Sequence, residues 1–272
     1  MYIRIKEAAY WVEQYGEGEP LLFLHGFTGS ARTWHALRPF FPEYQMILID
    51  LPGHGKTKDP SITTMQDCCE AIHAILHKLE INKVHLIGYS MGGRTALSFA
   101  YYFPDMVKSM VIESASPGIE DAGERKEREE RDQVLASFLQ KYSMEAFVDK
   151  WESLPLFATQ KKLPEAARHA IRQERLSQNA DGLIQSLLTM GTGVMPPLWD
   201  QLSHLRCPCL LIAGEHDQKF VVINKKMNRR IPKSKLKLIQ GAGHAIHVEQ
   251  PHVFGTIVEK FITDAEHPDK FR

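Results

Sequence analysis

The hydrophobic pattern along the chain predicts a sheet of short, buried strands. The first fifteen residues alternate apolar and polar positions until Gly16, which is typical of an antiparallel hairpin at a sheet edge. Short runs that are apolar at nearly every position follow, as expected of parallel strands covered by helices on both faces. These runs are residues 21–24, 46–49, 84–87, 106–112, 209–213 and the shorter 236–239.

Helical patterns lie between these runs, at residues 65–79, 92–102 and 251–262. Strands that alternate with helices predict βαβ units and therefore an α/β fold with a mostly parallel sheet. The alternation stops from residue 119 to 205, where charged segments of helical pattern follow one another. Because structureless loops of that length are uncommon in compact domains, we predict a helical cap at 119–205, inserted into a core formed by 1–118 and 206–272.

Composition fits one soluble domain and excludes some classes of partner. The chain has 272 residues, of which 43% are hydrophobic and 24% charged, and its formal net charge is zero. A net charge of zero argues against nucleic acid as the main partner, because binding to phosphates needs an excess of basic residues. The polar N-terminus does not have the pattern of a signal peptide, and no apolar run approaches the length of a membrane span.

The four cysteines have no zinc-site spacing and are interpreted as reduced thiols; they are Cys68, Cys69, Cys207 and Cys209. A reducing cytoplasm is therefore the expected location. We expect no metal site and no membrane partner.

The strongest chemical motif is Gly88-Tyr89-Ser90-Met91-Gly92, which fits G-x-S-x-G. It follows an apolar strand and begins a helix, the context that a nucleophile elbow requires. Such a turn lifts the serine oxygen clear of the sheet and places it at a helix N-terminus, where developing negative charge is stabilised. We predict Ser90 as the catalytic residue of this turn.

A serine needs a histidine to accept its proton and an acid to orient that histidine. In this fold the partners follow in the order serine, acid, histidine. Glu215 and Asp217 follow one predicted strand and His244 follows the next. The register of the turn favours Asp217 over Glu215, so the predicted triad is Ser90, Asp217 and His244.

An oxyanion hole completes this chemistry. His25-Gly26-Phe27 follows another strand, and the glycine allows the backbone to approach a ligand closely. The backbone amides of Phe27 and Met91 are the expected donors. We expect the ring of His25 to hydrogen-bond the loop backbone, although a catalytic role is the alternative.

Five motifs in this order and spacing resemble the α/β-hydrolase superfamily over essentially the whole chain. They are HGF at 25–27, DLPGHG at 50–55, GYSMGG at 88–93, GEHD at 214–217 and GAGH at 241–244. The resemblance implies the α/β-hydrolase fold, with helices on both faces of the sheet. It does not define the reaction, because this scaffold supports many chemistries.

The chain also resembles the 2-succinyl-6-hydroxy-2,4-cyclohexadiene-1-carboxylate synthases of menaquinone biosynthesis. The segments that carry this likeness are GYSMGGR at 88–94, SPG at 116–118, DKW and PLF within 149–157, RLSQN at 175–179 and GEHDQKF at 214–220. The resemblance implies a lyase that removes pyruvate from 2-succinyl-5-enolpyruvyl-6-hydroxy-3-cyclohexene-1-carboxylate without consuming water. It implies no cofactor.

That substrate carries three carboxylates, which arginine binds bidentately. Arg94 lies one helical turn after Ser90 and therefore on the same helix face, where we expect substrate contact in preference to a buried structural ion pair. The resemblance assigns carboxylate binding to Arg128 and Arg175 as well. It also assigns substrate contacts to Tyr89, Trp151, Phe157 and Lys219.

Simpler interpretations stay open for several of these residues. Arg128 lies among Glu124, Glu127, Glu129 and Glu130, which could pair with it on a solvated helix. Trp151 and Phe157 could belong to a core. For the whole chain, the alternatives are a serine hydrolase acting on esters or carbon–carbon bonds, and a ligand-binding protein without turnover.

Overall fold

The computed structural model describes residues 1–266 and contains one eight-stranded sheet. Residues 267–272 of the predicted core lie outside the described residues. The strands are β1 (Tyr2–Ile5), β2 (Ala8–Tyr15), β3 (Glu19–Leu24), β4 (Tyr44–Ile49), β5 (Val84–Tyr89), β6 (Val107–Glu113), β7 (Cys209–Gly214) and β8 (Ser234–Ile239). Their order in the sheet is β1-β2-β4-β3-β5-β6-β7-β8.

The predicted sheet is confirmed. Strands β1 and β2 form the antiparallel hairpin, β2 pairs antiparallel with β4, and β3 to β8 are all parallel. Parallel pairing brings the carboxyl ends of β3, β5, β7 and β8 to the same edge of the sheet, which is where such sheets bind ligands.

Nine α-helices lie within residues 1–266. They are α1 (Met65–Lys78), α2 (Met91–Tyr102), α3 (Ala122–Lys141), α4 (Met144–Glu152), α5 (Glu165–Leu176), α6 (Ala180–Met190), α7 (Gln218–Asn228), α8 (Ile246–Glu249) and α9 (Pro251–Glu266). Short 3-10 helices occur at Ala31–Phe40, Pro104–Met106, Pro155–Lys162 and Leu202–His204. None of the helices in this part of the chain has both the length and the apolar character that a membrane crossing requires.

Both faces of the sheet are buried, as the apolar runs predicted. In β3, Leu22 and Leu24 face one core, which includes residues of α1 and α2. Leu21 and Phe23 face the other core, which includes Trp34 and residues of α9. Because successive side chains of a strand point to opposite faces, a strand in this position needs apolar residues at every position.

The segment between β6 and β7 contains α3 to α6 and no strand. It has a small core of its own, formed by residues of α3, α4 and α6: Ala136, Leu139, Phe147, Val148, Leu183 and Leu187. It contacts the rest of the chain closely at two glycines, since a side chain on Gly182 would collide with the backbone of Gly53. This segment therefore packs directly on the loop that follows β4.

Candidate active site

The turn at Ser90 has the conformation of a nucleophile elbow. Ser90 lies between β5 and α2 with φ +51° and ψ −105°, a region that costs free energy for a residue with a side chain. Its amide donates to the carbonyl oxygen of Glu113 over 2.9 Å, which holds the turn against β6. Glycine is required at Gly88 and Gly92, because a Cβ at either would collide with neighbouring backbone.

Asp217, His244 and Ser90 form a continuous hydrogen-bonded series. The Nδ1 of His244 lies 2.6 Å from Oδ2 of Asp217, and its Nε2 lies 3.1 Å from Oγ of Ser90. A carboxylate only accepts, so Nδ1 carries the hydrogen and Nε2 presents its lone pair to the serine hydroxyl. The side chains of His244 and Asp217 are 2% and 4% exposed. The structure thus brings the three predicted residues together.

Glu215, the competing acid, points elsewhere. Its Oε2 accepts a hydrogen bond from the amide of Gly241 over 2.9 Å, which ties the two loops that carry Asp217 and His244. Glu215 therefore stabilises the loop pair without contacting the imidazole.

The two amides expected in the oxyanion hole have no partner among residues 1–266. Neither Phe27 N nor Met91 N donates a hydrogen bond there. Gly26 must be glycine, since a Cβ would lie 2.5 Å from the ring of Tyr89. The arrangement leaves two backbone donors available to a ligand oxygen near Ser90.

His25 hydrogen-bonds the loop backbone, as expected. Its Nδ1 donates to the carbonyl oxygen of Gly26 over 2.8 Å, and its Nε2 accepts from the amide of Leu51 over 3.0 Å. Both ring nitrogens are thereby satisfied by a neutral ring. Burial lowers the pKa of His25 to about 4. The residue holds the loop that contains Gly26 and Phe27 against the loop that follows β4.

Arg94, Arg128 and Lys219 share one cationic region beside Asp217. Burial and the nearby charge of Arg128 lower the pKa of Arg94 to about 10. Burial and the same arginine also lower the pKa of Lys219, while Asp217 acts in the opposite direction. Three cations close to the Ser90, His244 and Asp217 side chains suit an anionic substrate.

Arg94 has spare hydrogen-bonding capacity. One terminal nitrogen donates to the carbonyl oxygen of Met190 over 3.1 Å, and its buried Nε has no partner among the described residues. A buried donor is costly without an acceptor, so this nitrogen is available to bind one. Among the described residues Arg94 does not form the buried structural ion pair that was the alternative interpretation of its position.

Arg128 pairs with Asp132, a residue that the sequence analysis missed. Its Nε donates to both carboxylate oxygens of Asp132, over 2.9 and 3.0 Å. Asp132 is buried, whereas the Arg128 side chain is 32% exposed and its terminal nitrogens are not used in this pair. This carboxylate, and none of the four glutamates considered as alternative partners, orients the guanidinium. An acid one turn after an arginine was the signal available in the sequence.

Arg175 lies on another side of the site. It donates to Glu152 over 3.1 Å and to Gln160 over 3.0 Å, and its guanidinium lies 4.7 Å from the ring centroid of Phe157. Its side chain is 8% exposed. Arg175 is therefore already partnered within its own segment.

An aromatic wall connects Arg175 to the triad. The ring of Phe157 lies 6.3 Å from that of His244 and 5.6 Å from that of Trp151, centroid to centroid. Tyr89 lies 5.3 Å from the His244 ring.

Phe220, which was not singled out from the sequence, has its ring centroid 4.8 Å from that of His244, closer than Tyr89 or Phe157. Its position three residues after Asp217, on the first turn of α7, was the available signal.

Two cavities border Arg175. The smaller, about 50 Å³, is also lined by Phe27, Tyr89 and Phe157, and the larger, about 360 Å³, lies among α4, α5 and the intervening 3-10 helix. Ser90 and His244 line neither of them. Arg175 and Phe157 line both cavities and therefore lie between them.

One group of possible metal ligands lies away from this site. Glu19, His85 and Glu266 bring their ligand atoms within 4.8 Å of one another, the one such group among residues 1–266. His85 lies near the start of β5, at the opposite end of that strand from Ser90, and Lys108 forms an ion pair with Glu19. The group therefore has no part in the triad chemistry.

Comparison with known proteins agrees with this geometry. A family model described as alpha/beta hydrolase fold matches residues 19–251. A putative 2-succinyl-6-hydroxy-2,4-cyclohexadiene-1-carboxylate synthase from Bacillus subtilis is 45% identical over 250 residues, which are 90% of each chain. The synthase of that name from Citrobacter koseri is 31% identical over 86% of this chain and 90% of its own. Among solved structures, MenH from S. aureus has a TM-score of 0.91 and 40% identity, covering 94% of this chain and 99% of that one.

The fold and the Ser-His-Asp arrangement define an α/β-hydrolase-fold enzyme. Within that fold, the chain belongs to the family of 2-succinyl-6-hydroxy-2,4-cyclohexadiene-1-carboxylate synthases.

Proposed function

We propose that this chain eliminates pyruvate from 2-succinyl-5-enolpyruvyl-6-hydroxy-3-cyclohexene-1-carboxylate to give 2-succinyl-6-hydroxy-2,4-cyclohexadiene-1-carboxylate, a step of menaquinone biosynthesis. The observation that carries the proposal is the buried, partly unpartnered guanidinium of Arg94, next to a complete triad, in a chain of this family. An enzyme that acts on neutral esters does not need such a cation, whereas an enzyme that binds a tricarboxylate does.

Ser90 acts as the base in the proposed reaction. His244, oriented by Asp217, accepts the hydroxyl proton through Nε2, which lies 3.1 Å from Oγ. The Ser90 oxygen then removes the ring proton next to the succinyl ketone. The electrons of that C–H bond form an enolate, shift through the ring alkene and break the bond to the enolpyruvyl oxygen. The leaving group takes up a proton from His244 as the enol of pyruvate.

The amides of Phe27 and Met91 stabilise the enolate oxygen in this scheme. They are the free donors beside Ser90, and a fixed donor pair of this kind stabilises developing charge without reorganisation. No electrons are transferred to an acceptor, so the reaction needs no redox cofactor.

The cationic residues bind and orient the three carboxylates. Arg94, Arg128 and Lys219 supply one positive region, and Arg175 supplies a second beside Phe157. Fixing the substrate at two separated points aligns its ring with the serine oxygen, which raises the effective concentration of the reacting groups. Tyr89, Trp151 and Phe157 form the apolar wall for the ring.

We also propose the division into a core, 1–118 and 206–272, and a cap, 119–205. The separate hydrophobic core of the helical segment and its position between β6 and β7 support this division. A cytoplasmic location is part of the same proposal. All four cysteines are free thiols, which suits a reducing compartment.

Release of pyruvate from the purified chain tests the proposal. Lactate dehydrogenase and NADH report pyruvate continuously, and Ser90→Ala is expected to abolish the signal while leaving the circular dichroism spectrum unchanged. Brisk hydrolysis of p-nitrophenyl esters without pyruvate release would instead identify a serine hydrolase. Binding of the substrate without any turnover would identify a ligand-binding protein.

A further inference from the structure

A second histidine–carboxylate pair lies beside the triad and has no role in the mechanism above. The Nδ1 of His247 lies 2.8 Å from Oε2 of Glu113, and the His247 amide donates to Oε1 of Glu113 over 3.1 Å. The two side chains are 1% and 0% exposed. A carboxylate in such a position is tolerated because both of its oxygens accept a hydrogen bond.

Glu113 contacts the nucleophile turn through its backbone. It is the last residue of β6 and is paired with Tyr89 of β5. Its carbonyl oxygen accepts the hydrogen bond from the amide of Ser90 over 2.9 Å. Since Ser90 has a strained backbone conformation, this bond is one of the contacts that keep the turn in place.

Through its side chain, the same residue contacts the short helix that follows His244. His247 lies three residues after His244, in the short helix α8 (Ile246–Glu249). Both hydrogen bonds to the Glu113 carboxylate therefore fix the turn that carries the catalytic imidazole. Glu113 thus joins the Ser90 turn to the short helix α8, which directly follows the loop that carries His244.

Aromatic packing leaves the His247 ring little freedom. Its centroid lies 4.7 Å from that of Trp34 and 4.5 Å from that of Tyr89, and Tyr89 also packs against His244. The Nε2 of His247 is buried without a hydrogen-bond partner in the part of the chain that the structure describes. The ring is thus held by one directional contact, the bond to Glu113.

We propose that Glu113, with His247, is a positioning pair that sets the separation between Ser90 Oγ and His244 Nε2. The inference rests on the proposed function only in that the triad is the catalytic centre. A misplacement of about 1 Å between reacting groups can cost on the order of a hundredfold in rate. Loss of the pair should therefore affect the chemical step much more than substrate binding, whose cationic residues lie elsewhere.

The test combines turnover with a direct measurement of Ser90 reactivity. The variants are Glu113→Gln, which removes the charge, and His247→Phe, which keeps a ring but removes the donor. Labelling of Ser90 by phenylmethanesulfonyl fluoride, followed by intact mass spectrometry below the unfolding temperature, reports how well His244 activates the serine. We expect kcat for pyruvate release and the labelling rate to fall together by about tenfold or more, with KM changed by less than about threefold.

A conservative variant and a matched control separate positioning from stability. His247→Asn retains an N–H donor that can reach Glu113, so it should recover part of the labelling rate lost in His247→Phe. Ser109→Ala removes a comparable buried hydrogen bond, 2.7 Å from Ser109 Oγ to His85 Nδ1, near the start of the same strands. It should lower the unfolding temperature without changing labelling.

Labelling at the wild-type rate in folded Glu113→Gln and His247→Phe would overturn the proposal, whatever happens to their stability. If Glu113→Gln does not fold, the two His247 variants decide the question alone. Labelling does not require the substrate, so it tests the pair even if the wild-type chain releases no pyruvate. Failure of the proposed function would thus be distinguishable from failure of this inference.

Discussion

The guanidinium of Arg94 donates to the carbonyl oxygen of Met190 over 3.1 Å, while its buried Nε has no partner among residues 1–266. Arg94 is on α2, the helix that begins at the nucleophile turn, and Met190 ends α6 of the helical segment. The contact joins the core to that segment at the level of the proposed substrate site. It leaves the Nε of this buried cation available to an acceptor such as a carboxylate.

Replacing Arg94 should weaken substrate binding and increase the stability of the fold. Arg94→Met is expected to raise KM about ten- to a hundredfold, the loss of a charged hydrogen-bonding pair. It should also raise the free energy of unfolding by about 1 kcal/mol, because an apolar side chain removes a buried charge without a full partner. Steady-state kinetics and urea denaturation measure the two effects. Arg131→Met, at a side chain that is 70% exposed, is the control and should change neither KM nor the free energy of unfolding. An unchanged KM in Arg94→Met would exclude substrate contact.

The identity of the triad acid can be tested with a matched pair of variants. Asp217→Asn should lower kcat by about a thousandfold or more, since the amide no longer fixes the His244 tautomer that accepts the serine proton. Glu215→Gln keeps an oxygen for the amide of Gly241 and should remain within about threefold of wild type. Equal effects of the two substitutions on pyruvate release would contradict the assignment.

Buried histidines should make the protein less stable in acid. Burial and the charge of His25 lower the pKa of His54 to about 3, so between pH 6.5 and that value the unfolded chain binds a proton that the folded chain does not. Stability therefore falls as the pH falls through this window, by about 1.4 kcal/mol per pH unit for each such proton, and is unaffected above it.

His54→Phe should make this dependence shallower. The substitution removes one titrating group from a buried site, where Phe27 already packs against the ring at 5.8 Å. Urea denaturation between pH 4.5 and 7.5 measures the slope. His77→Gln, at an exposed helical position, is the control and should keep the wild-type slope. A slope in His54→Phe equal to that of wild type would show that His54 does not contribute.

Glu174 connects the helical segment to the loop after β3. Its Oε1 accepts from the hydroxyls of both Ser30 and Thr33, over 2.6 and 2.8 Å. Glu174→Ala should lower the free energy of unfolding by about 1–2 kcal/mol, because two hydroxyls lose their acceptor. Glu174→Gln keeps an accepting oxygen and should lose less. Identical stability of the alanine variant and wild type in urea would mean that these contacts do not hold the segment.

The sheet, and the meeting of Ser90, Asp217 and His244, could be predicted from the sequence because both depend on local pattern. Apolar runs such as 21–24 are required by burial on both faces. Ser90, Asp217 and His244 each follow a strand, and parallel pairing brings the ends of those strands to one edge of the sheet. The predicted helices 65–79, 92–102 and 251–262 are confirmed with small shifts at their ends. Helix α7 and the break between α5 and α6 lacked a strong periodic signal and were not predicted.

The partners of the charged residues could not be predicted, because they depend on contacts distant in sequence. Arg175 pairs with Glu152, 23 residues away, through the packing of α5 on α4. Glu113 reaches His247 across 134 residues. For Arg128, four neighbouring glutamates were plausible partners, and only the burial of one helix face selects Asp132. Local spacing gives the candidates, and packing chooses among them.

The mass of the ring product most directly tests whether this triad eliminates or hydrolyses. The purified chain would be incubated with its proposed substrate in water enriched in oxygen-18, and the product analysed by mass spectrometry. Elimination through Ser90 and His244 predicts a cyclohexadiene whose mass is that of the substrate less pyruvic acid, without heavy oxygen. A ring product that has gained a molecule of labelled water would contradict the account.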